Sequence, residues 1–355
     1  DSILQAGGRC NREGKRSNAT TCVFSLNNGE AKIPRIAIRM DGKNKIGEIR
    51  GIADRQNMEP EMMPILEEKL KEFPDRDKYL KKEHDMKLLT LIDKKVNNNI
   101  ELTLDELKFL YEIDSKIEGF GYEKDPRINE IKNKRNIKKD CALIFDVKEE
   151  EVALSQEEWE ENQNKFKIFV SDLYLYGLTS ADGLVLPQSV VGNLFLDNLT
   201  SAEGLVLPQN IGGNLDLRSL DSAVGLVLPQ NIGGDLYLYS LASAEGLVLP
   251  QSIGGDLYLN GLTSAKGLIL PQSIVGNLFL DNLTSADGLV LPQNVGGNLD
   301  LWYLTSAEGL ILPYGFDLDK LECSSYIKNE ILQNPDKYFR KPPSEEENIS
   351  VHHKR

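Results

Sequence analysis

Seven prolines set the terms on which this chain can fold. Pro187, Pro208, Pro229, Pro250, Pro271, Pro292 and Pro313 stand 21 residues apart, and the residues between them repeat almost word for word. A fixed period of about 20–50 residues means a solenoid, in which each turn of chain stacks on the one before. Within a copy, Leu215 and Leu217 flank Asp216, and Leu226 and Leu228 flank Val227. Alternation of period two predicts two short strands per copy, Asn-Leu-x-Leu and Gly-Leu-Val-Leu. Proline has no N–H to donate, so it stops the second strand and opens a corner. The glycine kept at positions 192, 213, 234, 255, 276 and 297 implies positive φ or close backbone approach there. One copy has too little core to stand alone. Neighbours must share hydrogen bonds and leucine rows about 4.8 Å apart, so seven coils would span roughly 30 Å.

A longer memory runs through the copies. Asn-Leu-Phe-Leu-Asp-Asn recurs at 193 and 277, and Asn-Leu-Asp-Leu at 214 and 298, each 84 residues apart. That is four periods, as a block duplicated whole would leave. With the leucines inward, the residues between them form outward columns. One holds Tyr174, Phe195, Asp216, Tyr237, Tyr258, Phe279 and Asp300; the next holds Tyr176, Asp197, Arg218, Tyr239, Asn260, Asp281 and Trp302. Exposed aromatics among charges on a flat face mark a protein-binding surface, although stacked rings would also stabilise the ladder itself. The face proposed from sequence therefore comprises Tyr174, Tyr176, Phe195, Arg218, Tyr237, Tyr239, Tyr258, Phe279 and Trp302. The Asp/Asn column that begins at Asp172 and Asn193 is expected to be a structural ladder of hydrogen bonds. The acidic turn column (Asp182, Glu203, Val224, Glu245, Lys266, Asp287, Glu308) is broken twice, and Lys266 would repel a cation, so no metal and no cofactor is expected.

Charge is unevenly spread along the 355 residues and their net −14. Residues 1–50 hold ten Lys/Arg against five Asp/Glu, whereas 168–313 hold two against thirteen. An acidic solenoid is a poor nucleic-acid surface, because phosphate binding needs clustered Lys and Arg. Cys10, Cys22, Cys141 and Cys323 are dispersed, which implies neither a zinc site nor a disulfide framework and favours a reducing, cytoplasmic setting. No apolar run of about 18 residues exists to span a membrane. The chain opens at Asp1 inside what reads as a motif, so a fragment of a longer protein is expected.

That motif is Gln5-Ala-Gly-Gly-Arg9-Cys-Asn-Arg12-Glu-Gly-Lys15. It resembles motif VI of superfamily 2 helicases, most closely the CRISPR-associated helicase–nuclease of type I systems. The resemblance covers about the first 30 residues, with Thr20–Leu26 as the following strand. It implies that Gln5, Arg9 and Arg12 are remnants of a nucleotide site, the arginines facing a γ-phosphate. No GxxxxGK[ST] and no Asp-Glu box accompany it, so no ATPase is expected of this chain.

Residues 33–52 read as two strands about an Asp41-Gly42 turn. Helical spacing follows over Pro64–Phe73 and Asp75–Val96. Thr103-Leu-Asp-Glu106 is a capping box, Asp125-Pro126 opens a short helix, Cys141–Val147 reads as a strand, and Ser155-Gln-Glu-Glu158 caps a last helix. Ile-Gly-Glu-Ile-Arg-Gly-Ile, Phe-Leu-Tyr-Glu-Ile-Asp-Ser-Lys-Ile-Glu-Gly-Phe-Gly-Tyr and the repeats together resemble uncharacterised bacterial proteins of candidate phyla. Those place a helical region before such repeats and lend no activity. The repeat also resembles bacterial leucine-rich repeats, but Leu199, Leu220 and Leu241 stand where that family carries asparagine, so a straighter β-solenoid is expected. Beyond Pro313 a partial coil (314–321) and a capping helix (325–333, with Tyr326, Ile327 and Ile331 facing the open end) close the stack.

The chain thus divides into a motif VI-like remnant (1–32), a mixed, mostly helical region (33–166), a β-solenoid of seven coils (167–321), a capping helix (322–334) and a disordered tail (335–355). The function expected is a non-enzymatic protein-interaction module, monomeric, with another protein as partner. The alternatives are a piece of a CRISPR-associated superfamily 2 helicase and a surface adhesin binding glycans through its aromatic columns.

Overall fold

The computed structural model describes residues 19–27, 32–41, 46–51, 63–70, 76–119 and 124–341. Gln5, Arg9 and Arg12 lie outside them. By its contacts the chain divides into two compact units, Asp1–Leu102 with Ile117–Ile131, and Thr103–Lys116 with Lys132–Arg355.

In the first unit, β1 (Ala19–Asn27), β2 (Lys32–Asp41) and β3 (Ile46–Gly51) form an antiparallel sheet in chain order. The helices α1 (Met63–Leu70) and α2 (Arg76–Asn97) follow where helical spacing predicts them. Asp85 of α2 is buried, yet it is satisfied by Lys81 at 2.6 Å and by the Glu118 backbone N–H at 2.9 Å.

The second unit opens with α3 (Leu104–Leu110). Its Thr103 hydroxyl accepts from the Glu106 N–H while the Glu106 carboxylate accepts from the Thr103 N–H, so the capping box is complete. The short helix α4 is Arg127–Asn133, which begins in the first unit and ends in the second. Over Cys141–Val147 the structure has no strand. Helix α5 (Ile137–Phe145) runs there, capped by the Asn136 side chain on the Lys139 N–H and ended by Asp146 at φ 53°. A short apolar run carries no period of its own, and the Asn136 cap is what decides between the two. On its buried side, Asp140 accepts from Arg135 Nε and Nη2, at 2.6 and 2.7 Å, and from the Tyr111 hydroxyl at 3.1 Å.

The solenoid is two eight-stranded parallel sheets. One contains Leu173–Tyr174 and its equivalents every 21 residues to Leu299–Asp300, and is extended by Leu321–Glu322 from the partial eighth coil. The other sheet is not made from Leu-Val-Leu. Its strands are Ser189–Val190 and equivalents to Asn294–Val295, in the stretch after each proline. The reason is local. A stacked row of prolines leaves one position of every coil without a donor, so the ladder forms on the far side of it. The stack also starts earlier than the repeat does, because β4 (Val152–Ala153) pairs with β5 (Ile168–Phe169).

The inward residues of a coil are those of Leu236, Leu238, Leu241, Ala244, Leu247 and Ile253, all buried, with Leu249 half-buried beside them. The conserved corner glycine serves close approach. A Cβ on Gly234 would sit 2.0 Å from Asn214 Oδ1 and 2.6 Å from the Gly213 carbonyl carbon. Positive φ belongs instead to the turn glycines, such as Gly225 at 81°.

Both ends are closed. At the first, α6 (Gln156–Glu161) buries Trp159 against Phe169, and the Gln156 side-chain amide bonds the N–H and C=O of Tyr174 as a further strand would. At the other, α7 (Ser325–Gln333) packs Ile327 and Ile331 on the last coil. Tyr326 is exposed, one step off that buried face. The chain is also ordered past 335: α8 (Pro335–Tyr338) buries Tyr338, Phe339 bridges Leu312, and Arg340 donates to the Leu291 carbonyl at 2.6 Å. The last coil's leucines need more cover than one helix supplies, and Tyr338 supplies it. Residues 342–355 of the expected tail lie outside the described residues.

Candidate interaction face

The face begins with the Asp/Asn column, which forms an unbroken side-chain ladder. Each Oδ1 accepts the backbone N–H of its equivalent one coil on: Asp172 from Asn193 at 2.8 Å, Asn193 from Asn214 at 2.6 Å, Asn214 from Asp235 at 2.8 Å, and so on to Asn277 and Asn298. A residue at this corner needs an acceptor of fixed reach, which Asp and Asn share. The ladder fixes the backbone two residues before each outward ring.

The rings themselves stack. Tyr174 lies 4.9 Å from Phe195; Tyr258 lies 4.7 Å from Tyr237 and 4.5 Å from Phe279, in nearly parallel planes. Tyr239 leans on both Tyr237 and Tyr258, at 5.9 and 5.1 Å, and Tyr176 on Tyr174 at 5.3 Å. Three hydroxyls point back to the ladder, Tyr237 to Asp235 at 2.9 Å, Tyr258 to Asp256 at 3.1 Å and Tyr174 to Asp172 at 3.1 Å. Burial first, with the neighbouring aspartates adding to it, pushes the Tyr237 and Tyr258 hydroxyls well above the ordinary phenol range.

Two clusters result, and Asp216 separates them. This residue does not face water as its column position predicts. It is fully buried, because Arg218 folds back onto both its oxygens (Nε at 3.0 and 2.9 Å) while lying 5.8 Å from the Tyr237 ring centre. Tyr174, Tyr176 and Phe195 thus form one aromatic group; Arg218, Tyr237, Tyr239, Tyr258 and Phe279 form the other. Trp302 stands apart, exposed in the turn after Leu301, its backbone N–H donating to Asp300 Oδ1 at 3.0 Å. Burial raises the Asp300 carboxyl above its usual range. Along the second column, Asp197 Oδ1 and Asn260 Oδ1 are covered and accept no hydrogen bond from the protein.

Among the described residues, no three His, Cys, Asp or Glu side chains gather as a metal ion would need, and no helix is long and apolar enough to cross a membrane. The rings point away from the leucine core as the alternation predicts, whereas the middle residue of Leu-Val-Leu, expected in a paired strand, lies outside both sheets. Its signal was present: an apolar residue between two inward leucines must point out. No family model, curated protein or solved structure matches the chain.

Proposed function

We propose that the chain is a non-enzymatic protein-interaction module that binds another protein through the aromatic side of its solenoid. The observation that carries this reading is the second cluster. Arg218 lies over the Tyr237 ring, Tyr237, Tyr239 and Tyr258 are in mutual ring contact, the Tyr237 and Tyr258 hydroxyls are bonded to the Asp/Asn ladder, and all four side chains keep an edge in water. Rigid Tyr and Arg side chains lose little freedom on binding and dominate hot spots.

The test is capture of protein partners by the chain carrying Tyr176→Ser, Tyr239→Ser and Trp302→Ser, against the wild type. Tyr176 and Tyr239 lie at the outer edge of the stacks and Trp302 is exposed outside them, so the thermal midpoint should hold. Loss of the captured protein supports the face, and undiminished capture removes it. Capture of free oligosaccharides by the wild type, lost in the same variant, would transfer the face to glycans.

A further inference from the structure

On another side of the solenoid runs a second surface with different chemistry. The middle residues of Leu-Val-Leu are Val206, Val227, Val248, Ile269 and Val290 in the five central coils, and they are between 66 % and 78 % exposed. Val185 and Ile311 extend the row to seven, so it runs roughly 30 Å along the stack. Packing alone does not explain it. An extended chain favours β-branched residues, and threonine would satisfy that preference in water, yet all seven are Val or Ile. Over the same copies the ring column drifts to Asp216 and Asp300, while this row stays apolar. A continuous exposed apolar stripe of this kind marks a docking surface.

The borders of the stripe say what would cover it. Beside it, two residues earlier in each coil, runs the row of turn glycines; a Cβ built on Gly183, Gly225 or Gly267 meets nothing within 4 Å. Past that open shelf stand the exposed acids Asp182, Glu203, Glu245, Asp287 and Glu308. They lean along the stack: a carboxylate oxygen of Asp182 lies 3.9 Å from a Cβ position on Gly204, and one of Asp287 lies 3.1 Å from that on Gly309. On the other flank the exposed glutamines 188 to 293 are uncharged. The surface is therefore an apolar wall, a glycine floor and a wall of five acids interrupted by Val224 and Lys266, all parallel.

We propose that this side of the solenoid receives an amphipathic α-helix with Lys or Arg along one edge of its apolar face. A helix turn of about 5.4 Å lies close to the coil spacing of about 4.8 Å, so a helix laid along the stack offers each coil one apolar residue, and about 20 residues span the row. Long cationic side chains would lay their stems on the glycine shelf and reach the carboxylates. A second copy of this chain fits less well, because it brings the same acids to an already acidic surface.

The probe is a synthetic helical peptide of about 20 residues with leucine along one face and lysine along one of its edges, titrated into the full chain at low and high salt. Saturable binding is expected, weakened by about tenfold or more in Val206→Ser/Val227→Ser/Val248→Ser. Glu203→Gln/Glu245→Gln/Asp287→Asn, which keeps the apolar row, should weaken it comparably and flatten its salt dependence. Unchanged binding in either variant, equal binding of a scrambled peptide, or no saturation by about 100 μM overturns the proposal. So does a dimer dissociated by the valine variant, since a second copy would then be the occupant. The Tyr176→Ser/Tyr239→Ser/Trp302→Ser chain should bind the peptide as the wild type does; loss there would move the peptide to the aromatic side and also overturn the proposal, whereas failure of that face to capture protein leaves this result standing.

Discussion

Two parts of the same compact unit are stabilised in opposite ways. In the helical part before the repeats, each polar contact occurs once: Asp140 alone gathers Arg135 and Tyr111, and Lys138 on α5 meets Glu158 on α6. In the solenoid each contact is a column. The Oδ1-to-N–H bond from Asp172 onward recurs in every coil, and so do the paired leucines at Leu215, Leu236 and Leu257. A column distributes its load, since a neighbour on either side holds the same position. A single contact has no such neighbour. Repetition thus frees outward positions to vary while it constrains corner and core positions in every copy at once.

This contrast can be broken at its strongest point first. Asp140→Ala strips a half-buried guanidinium and a buried hydroxyl of the carboxylate they share, and should cost about 3 kcal/mol in urea denaturation. A cost near that of an ordinary surface change would mean the network is not the keystone of the helical part. The solenoid answers with its glycines. Gly234→Ala forces a Cβ onto the Asn214 side chain and the Gly213 backbone and should cost about 2–3 kcal/mol. Gly225→Ala meets nothing in space and bears only the left-handed backbone, about 1 kcal/mol. Equal melting shifts for the two would show that close approach does not govern the corner.

The smallest effect is a pH dependence. Tyr237 and Tyr258 have hydroxyl pKa values raised in the folded state, by burial first and by Asp235 and Asp256 next. The stability this contributes is fully present below the unfolded phenol value of about 10 and is lost as pH rises through the higher folded values. The wild-type midpoint should therefore fall more steeply above about pH 10 than that of Tyr237→Phe/Tyr258→Phe. Parallel slopes would detach the hydroxyls from the ladder.

Much of this was legible beforehand, and the losses have physical causes. Period, inward leucines, the Asp/Asn ladder and the Thr103 and Ser155 caps are written in local spacing, because hydrogen-bond reach and side-chain direction fix them within a few residues. The strand expected at Cys141–Val147 failed because the five apolar residues 141–145 read alike in either state. The burial of Tyr338 is not legible in the sequence, because nothing near Pro335 announces the surface it covers.

By itself the sequence determined that 21-residue coils must stack, since no copy has a core of its own, and it determined which residues line that core. Only the tertiary structure decided which stretch of each coil joins a sheet. That choice depends on where stacked prolines remove donors from the ladder, a property of neighbouring coils together. It left the outward Val227 and its equivalents outside any strand, while the fold of Arg218 back over Asp216 buried a carboxylate in the aromatic column.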